Sequence, residues 1–107
     1  MTDIANRTVL VTGAGGGFGR HMVRQFGSAG AKLILTDLDD AALRGAAGDA
    51  GASLVGSVAC DLSTEAGTKA VVDTCASHDV VPDILVNNAG IAVAGRLDHV
   101  PRERWET

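Results

Sequence analysis

Short apolar runs recur along the chain, and each stops at a small or polar residue. The clearest are residues 9–11, 33–35 and 84–86, which consist only of valine, leucine and isoleucine. A fourth apolar stretch, residues 54–59, is interrupted by Gly56. Because the apolar residues mostly follow one another and do not alternate with polar ones, these segments are typical of strands in a parallel sheet that is covered on both faces.

Apolar residues at helical spacing lie between these predicted strands. The residues expected to face inward are Met22, Val23, Phe26 and Ala29 in the first helix, Leu43, Ala46, Ala47 and Ala50 in the second, and Ala70, Val71, Val72 and Cys75 in the third. Gly30 is a suitable C-cap for the first helix, Asp39 or Asp40 an N-cap for the second, and Ser63 an N-cap for the third. Pro101 suits the first turn of a fourth helix.

Strands and helices therefore alternate along the chain, which predicts an α/β fold with a doubly wound parallel sheet. The expected strand order is 3-2-1-4. We expect residues 1–107 to form a single, partial domain that is truncated after about four strands, because the fourth predicted helix has made barely more than a turn at Thr107. A sheet cut at that point would leave residues 84–86 as an uncovered edge, which predicts aggregation.

A glycine-rich loop, residues 12–19, follows the first predicted strand and opens the first predicted helix. Its glycines fit the spacing GxxxGxG at Gly13, Gly17 and Gly19, and no Gly-Lys-Ser/Thr of a P-loop follows. Glycines allow a sharp turn and a close approach of the backbone to a pyrophosphate, while the N–H groups and the dipole of the helix favour its charge. The alternative is a plain flexible turn. The position between a buried strand and a helix favours a Rossmann-type dinucleotide site.

Acidic residues end the second and third predicted strands. Asp37 lies 24 residues after Gly13, close to the roughly 20-residue offset of an acid that binds the adenosine ribose. Such a carboxylate would repel a 2′-phosphate, so we expect NAD as the cofactor rather than NADP. Asp61 occupies the same place after the third strand and is a candidate for contact with the adenine edge. A helix cap or an ordinary loop aspartate is the alternative at both positions.

The fourth predicted strand ends in residues 87–90, Asn-Asn-Ala-Gly. Asparagine side chains can tie neighbouring strand ends together, and the small Ala89 and Gly90 leave room for a flat ligand. A simple turn is the alternative, since asparagine and glycine are common in turns.

Composition excludes several other classes of function. The formal net charge is −4 and the isoelectric point about 5.1, so nothing favours binding to nucleic acid or to an anionic membrane. No apolar stretch is long enough to cross a membrane and the N-terminus lacks a secretory signal, which predicts a cytoplasmic location. Two cysteines without a CxxC pair and three scattered histidines predict no metal site. The chain contains no tyrosine.

Taken together, the TGxxxGxG loop, the pair Asp61-Leu62 and the motif at residues 87–90 resemble the short-chain dehydrogenase/reductase family over essentially the whole chain. Phe18 stands where that family more often has isoleucine. By this resemblance, Gly13, Phe18 and Gly19 would hold the pyrophosphate and Asp37 the ribose. Asp61 and Leu62 would hold the adenine, and residues Asn88, Ala89 and Gly90 the inner ribose. Members that prefer NADP often carry a basic residue where this chain has Gly16 or Leu38, which again indicates NAD.

The resemblance implies an oxidoreductase that moves hydride between a nicotinamide and an alcohol or carbonyl of a small-molecule substrate, in a whole enzyme that is a homo-oligomer. Its catalytic asparagine, its serine and its Tyr-x-x-x-Lys motif would lie beyond Thr107, so no catalytic residue is assigned in this chain and the chain alone is expected to be inactive. The alternatives are a stand-alone nucleotide-binding or regulatory module and, less in keeping with the motifs, a methyltransferase.

Overall fold

A computed structural model describes residues 4–88 as a parallel sheet flanked by helices. The strands are β1 (Thr8–Thr12), β2 (Lys32–Asp37), β3 (Leu54–Ala59) and β4 (Ile84–Asn87), and the helices are α1 (Gly17–Ser28), α2 (Asp40–Ala50) and α3 (Glu65–Ser77). A single 3₁₀ turn, Gly51–Ser53, joins α2 to β3. The strand order is β3-β2-β1-β4 and every pair is parallel. The predicted α/β Rossmann-type fold and its strand order are confirmed.

Strand β1 lies in the middle of this sheet and pairs with both β2 and β4. Leu10 is in register with Ile34 on one side and with Leu85 on the other. All five residues of β1 are buried, whereas β3, at one edge, is only partly buried. Since all strands run in the same direction, their carboxyl ends meet at one edge of the sheet, where a ligand crevice is expected.

Alternate strand residues pack into two separate cores, one on each face. The core on the side of α1 and α2 contains Val9, Val11, Leu33 and Leu35 together with Val23, Leu43 and Ala46. The core on the side of α3 contains Leu10, Ile34, Leu62, Val71 and Cys75. Both faces of the central strands therefore need apolar side chains, which explains the unbroken apolar runs in the sequence.

The second helix begins as predicted. The Asp39 carboxylate accepts the N–H groups of Ala41 and Ala42 and so caps α2. On its inner face Leu43, Ala46 and Ala50 are buried, while Ala47 is only half-buried.

The third helix begins one residue later than predicted. Thr64, not Ser63, is the N-cap, and its Oγ1 accepts the Gly67 N–H at 2.9 Å. The Ser63 hydroxyl instead donates to the Asp61 carboxylate at 2.6 Å.

The inward face of α3 is formed by Gly67, Val71 and Cys75, which lie four residues apart along the helix. The prediction for Val71 and Cys75 is confirmed. Ala70 and Val72 are only half-buried because they lie on either side of that face.

The end of α1 also differs in detail from the prediction. Val23 is fully buried and Phe26 packs against the first core, but Ala29 is exposed and serves as the C-cap. Gly30 follows with a φ of 88°, the left-handed conformation that commonly ends a helix.

Candidate functional site

A cavity of about 310 Å³ lies at the carboxyl edge of the sheet. It is lined by Gly13, Gly16, Thr36, Asp37, Leu38, Cys60, Asp61, Leu62 and Asn88. These residues follow or end all four strands, so the sheet brings together positions that are up to 75 residues apart. Six of them were predicted from the sequence. Gly16, Thr36 and Cys60 were not, although each lies directly beside a predicted site residue or motif glycine.

The glycine-rich loop forms one wall of this cavity. Gly13 has a φ of 61°, which turns the chain away from β1. The Ala14 N–H donates to the Thr36 carbonyl at 3.0 Å and anchors the loop to β2. A Cβ on Gly19 would collide with the Gly13 carbonyl oxygen, so the close crossing of the loop and α1 requires glycine there. Gly13 and Gly19 are therefore needed for the fold of the loop itself.

Gly17 differs from these two glycines. A Cβ at this position would meet no atom within 4 Å, and the backbone φ is not in the left-handed region. Neither packing nor backbone conformation within residues 4–88 demands a glycine there. The space beside Gly17 is therefore open to a group from outside the described chain.

The first turn of α1 leaves its backbone donors free. Gly16 is the N-cap and provides no side-chain acceptor, and the first turn carries no acidic residue. The N–H groups of Gly17, Phe18 and Gly19 have no acceptor among residues 4–88. Together with the positive end of the helix dipole, these donors can bind an anion such as a phosphate. The Phe18 side chain is 63% exposed and does not line the cavity.

Asp37, at the end of β2, is half-buried and makes two hydrogen bonds with backbone donors. Its Oδ2 accepts the Gly15 N–H at 2.8 Å and its Oδ1 accepts the Asp39 N–H at 2.9 Å. The neighbouring Leu38 is 73% exposed and lines the same cavity.

Asp61 lies in the loop after β3 and is exposed. Its Oδ1 accepts both the backbone N–H and the hydroxyl of Ser63. Leu62 is only 7% exposed and belongs to the core beneath the sheet, so it reaches the cavity from a fixed position. The two residues thus supply a polar and an apolar contact at the β3 end of the cavity.

Thr12 and two asparagines tie the ends of β1 and β4 together. The Thr12 hydroxyl donates to the Asn87 side-chain oxygen at 2.9 Å and accepts the Asn88 N–H at 3.0 Å. The side-chain Nδ2 of Asn88 is buried and has no hydrogen-bond partner in the described part of the chain. A buried donor beside a cavity is a position where a ligand acceptor would be stabilised. Ala89 and Gly90 lie outside the described residues.

The electrostatics of the cavity favour a ligand that avoids extra negative charge near Asp37. Among residues 4–88, its lining contains two carboxylates, from Asp37 and Asp61, and no lysine, arginine or histidine. Burial raises the pKa of the Cys60 thiol, although a hydrogen bond with Thr36 acts in the opposite direction. Burial also raises the pKa of the Cys75 thiol. Both thiols are therefore poor nucleophiles at neutral pH.

Residues 4–88 contain no group of three or more side chains able to hold a metal ion. They also contain no helix that is both long and apolar enough to span a membrane.

A parallel sheet with a glycine-rich loop and a polar cavity at its carboxyl edge defines a nucleotide-binding α/β protein. The family model described as short chain dehydrogenase matches residues 7–107. The chain belongs to this family, and the resemblance noted from its motifs is confirmed.

The chain is also similar in sequence and in structure to known oxidoreductases. A probable oxidoreductase of Mycobacterium tuberculosis, EphD, is 36% identical over 102 residues, which cover 92% of this chain and 17% of that protein. The crystal structure of a 3-ketoacyl-(acyl-carrier-protein) reductase from Brucella melitensis complexed with NADH is 40% identical with a TM-score of 0.74, and the match covers 82% of this chain and 36% of the reductase. A short-chain dehydrogenase/reductase from Burkholderia phymatum in complex with NAD is 32% identical with a TM-score of 0.71, over 79% of this chain and 31% of that enzyme. The chain thus spans between 17% and 36% of the length of these relatives.

Proposed function

We propose that this chain is the NAD-binding portion of an oxidoreductase that transfers hydride between the nicotinamide and an alcohol or carbonyl substrate. The observation that carries the proposal is Gly17, a glycine that neither packing nor backbone conformation requires. It lies at the start of α1, beside three N–H donors without an acceptor among the described residues. A bound pyrophosphate accounts for both features, because it needs close backbone approach and accepts those donors.

The remaining cavity residues fit the other parts of a dinucleotide. Asp37 would accept the adenosine ribose hydroxyls, and Asp61 with Leu62 would hold the adenine. Asn88, with its unpartnered Nδ2, would face the inner ribose together with Ala89 and Gly90.

The charges beside the ribose favour NAD over NADP. A 2′-phosphate would lie next to the Asp37 carboxylate, and the part of the lining that comes from residues 4–88 offers no cation to balance it. The neighbouring Leu38 is uncharged. The similar structures in complex with NADH and with NAD support a nicotinamide cofactor.

Chemistry requires groups that this chain does not contain. NAD supplies the hydride acceptor or donor, and the family's proton-transferring tyrosine has no counterpart in a sequence without tyrosine. The residues of this chain would therefore bind and orient the cofactor, and the substrate would be a small molecule held by other parts of a longer protein. The same lack of tyrosine is the one feature that favours the alternative of a stand-alone nucleotide-binding module.

Calorimetry on the purified 107-residue chain tests the cofactor assignment. We expect NAD to bind at least roughly tenfold more tightly than NADP, a difference of about 1.4 kcal/mol. Equal or tighter binding of NADP would contradict the specificity, and tighter binding of S-adenosylmethionine than of NAD would favour a methyltransferase instead.

Two further measurements separate the enzyme from the stand-alone module. We expect no turnover of any alcohol with NAD by the chain alone, so robust turnover would contradict the assignment of catalysis to other residues. Genomic sequence after the Thr107 codon that continues into a serine and a Tyr-x-x-x-Lys motif would establish the enzyme, whereas a stop codon there would favour the module.

A further inference from the structure

Asp37 contacts the glycine-rich loop directly. Its Oδ2 accepts the Gly15 N–H at 2.8 Å, from the middle of the loop, while Oδ1 accepts the N–H of Asp39. We propose that Asp37 is a positioning residue that holds the glycine-rich loop in place, in addition to the ribose contact that rests on the proposed function. One carboxylate would then couple the ribose end of the cavity to its phosphate-binding wall.

The number of acceptor positions on the carboxylate allows both tasks at once. An ionised carboxylate offers about four lone-pair positions, two on each oxygen. Within residues 4–88, each oxygen of Asp37 accepts one backbone N–H. One position therefore remains on each oxygen, which matches the two neighbouring hydroxyls of a ribose.

Packing against α2 confines Gly15 further. A Cβ on Gly15 would lie 2.5 Å from the Ala42 Cβ in α2, so the backbone of the loop is pressed against that helix. The carboxylate of Asp37 and the surface of α2 thus hold the same residue from two directions. Without the hydrogen bond from Asp37, Gly15 itself keeps only a packing contact, while the neighbouring Ala14 remains bonded to the Thr36 carbonyl.

Asparagine cannot replace Asp37 in this arrangement. Its side chain has one oxygen and one NH₂ group, so in either orientation the NH₂ group faces a backbone N–H donor. D37N is therefore expected to release either Gly15 or Asp39, although it is nearly isosteric with aspartate.

Asp39 provides a matched control two residues away. Its two hydrogen bonds, from Ala41 and Ala42, both fall on the single oxygen Oδ1. The oxygen of an asparagine at this position can accept both, and asparagine is as good an N-cap as aspartate. D39N therefore removes one negative charge from the same β2–α2 segment, while the side chain at position 39 keeps its hydrogen bonds.

The test is hydrogen exchange of backbone amides, followed by NMR in the ligand-free 107-residue chain. We expect the Gly15 or the Asp39 amide to exchange at least roughly tenfold faster in D37N than in the wild type, with the core strands unchanged, and both amides to keep their protection in D39N. Unchanged exchange of both amides in D37N would overturn the proposal. A rise of similar size in D39N would overturn it as well, since charge alone would then be the cause.

The wild type alone supplies a second readout if D37N does not fold. The Gly15 amide should exchange at least roughly tenfold more slowly than the Gly17 amide, which has no acceptor among residues 4–88. Equal rates for the two amides would contradict the hydrogen bond that holds Gly15 to Asp37.

Ligand binding separates this inference from the proposed function. If Asp37 touched only the ribose, D37N would lower the affinities for adenosine and for ADP by the same factor. If the glycine-rich loop is displaced, the affinity for ADP should fall at least roughly fivefold more than that for adenosine, because only ADP carries the diphosphate. Equal factors would contradict the positioning role of Asp37. If the wild type bound neither ligand, the proposed cofactor site would be wrong. The amide measurements would still show whether Asp37 holds the glycine-rich loop in place.

Discussion

Thr12 and Asn87 lie 75 residues apart in the chain, and the Thr12 hydroxyl donates a hydrogen bond of 2.9 Å to the Asn87 side-chain oxygen. The same hydroxyl accepts the Asn88 N–H at 3.0 Å. Thr12 is only 1% exposed, so water cannot replace it. This one side chain joins the ends of β1 and β4 and sets the position of Asn88 at the cavity.

The first prediction concerns this link. Thr12→Val keeps the shape of the side chain but removes the hydroxyl that bonds the Asn87 oxygen and the Asn88 N–H, so we expect the free energy of unfolding to fall by about 1–3 kcal/mol. Urea unfolding followed by circular dichroism measures the change. Thr12→Ser retains the hydroxyl and should lose less than the valine variant. The reverse order of the two variants would show that the methyl group matters more than the hydrogen bonds.

The second prediction separates the two kinds of glycine in the loop. Gly19→Ala forces a Cβ into the Gly13 carbonyl and should lower the free energy of unfolding by about 1–3 kcal/mol or more. Gly17→Ala meets open space at the start of a helix, so its stability should equal or slightly exceed that of the wild type. Its affinity for NAD should nevertheless fall at least roughly tenfold. Full NAD affinity in Gly17→Ala, measured by calorimetry, would contradict the pyrophosphate assignment.

The third prediction concerns the ion pairs between α1 and α2. Asp49 accepts a hydrogen bond from Arg20 at 2.8 Å and pairs with Arg24 at 3.0 Å. The hydrogen bond with Arg20 lowers the pKa of Asp49 below its ordinary value of 3.8. The same hydrogen bond raises the pKa of Arg20. A lowered pKa in the folded state stabilises the protein above pH 3.8, and this contribution disappears as the pH falls from there through the lowered value.

Unfolding as a function of pH tests this relationship. Asp49→Asn should be less stable than the wild type at pH 7, and the difference should close below about pH 4 and shrink in high salt. Asp73→Asn is the control, because Asp73 forms an exposed i, i+4 pair with Lys69 that contributes little. A difference for Asp49→Asn that persists at pH 2 would show that packing, not charge, is responsible.

The fourth prediction explains Gly56, the residue that interrupts the third strand. The His78 imidazole lies against it, so that a Cβ at position 56 would be 2.7 Å from the ring Cε1. The His78 ring is the end of an exposed side chain and can turn aside, with loss of its hydrogen bond to the Thr74 carbonyl. Gly56→Ala should therefore destabilise the fold by only about 0.5–1.5 kcal/mol, and most of this loss should vanish in the His78→Ala background. Gly48→Ala, in open space on α2, should instead be neutral or stabilising. An equal loss in both backgrounds would mean that strand geometry, not the ring, requires glycine.

The fifth prediction concerns the edge of the sheet. Among residues 4–88, β4 pairs with β1 alone, and Leu85 is 46% exposed beside an apolar groove of about 320 Å³. We expect the purified chain to self-associate and Leu85→Lys to reduce this, because a charge on an edge strand opposes pairing. Leu38→Lys changes a more exposed leucine that lies outside the edge strand, and it should have little effect. Analytical ultracentrifugation decides, and a monodisperse wild-type monomer would contradict the prediction.

Much of the fold could be predicted because its signals are local. The unbroken apolar character of residues 9–11 and 33–35 predicts buried strands, and the capping chemistry of Asp39 predicts the start of α2. The start of α3 is not decided locally, since Ser63 and Thr64 are both good N-caps. Both hydroxyls donate to Asp61 in the folded loop, but it is the Thr64 hydroxyl that accepts the Gly67 N–H. The inward face of α3 followed from that choice.

The sequence by itself determined the family, the alternation of strands and helices, and most of the residues that line the cavity. Spacing and residue type carry this information because strand ends and glycine turns are encoded over a few positions. Only the tertiary structure decided how those residues act on one another. The contacts of Asp37 with Gly15, of Thr12 with Asn87 and of His78 with Gly56 join segments from different strands and helices, and such contacts depend on where the folded backbone places them.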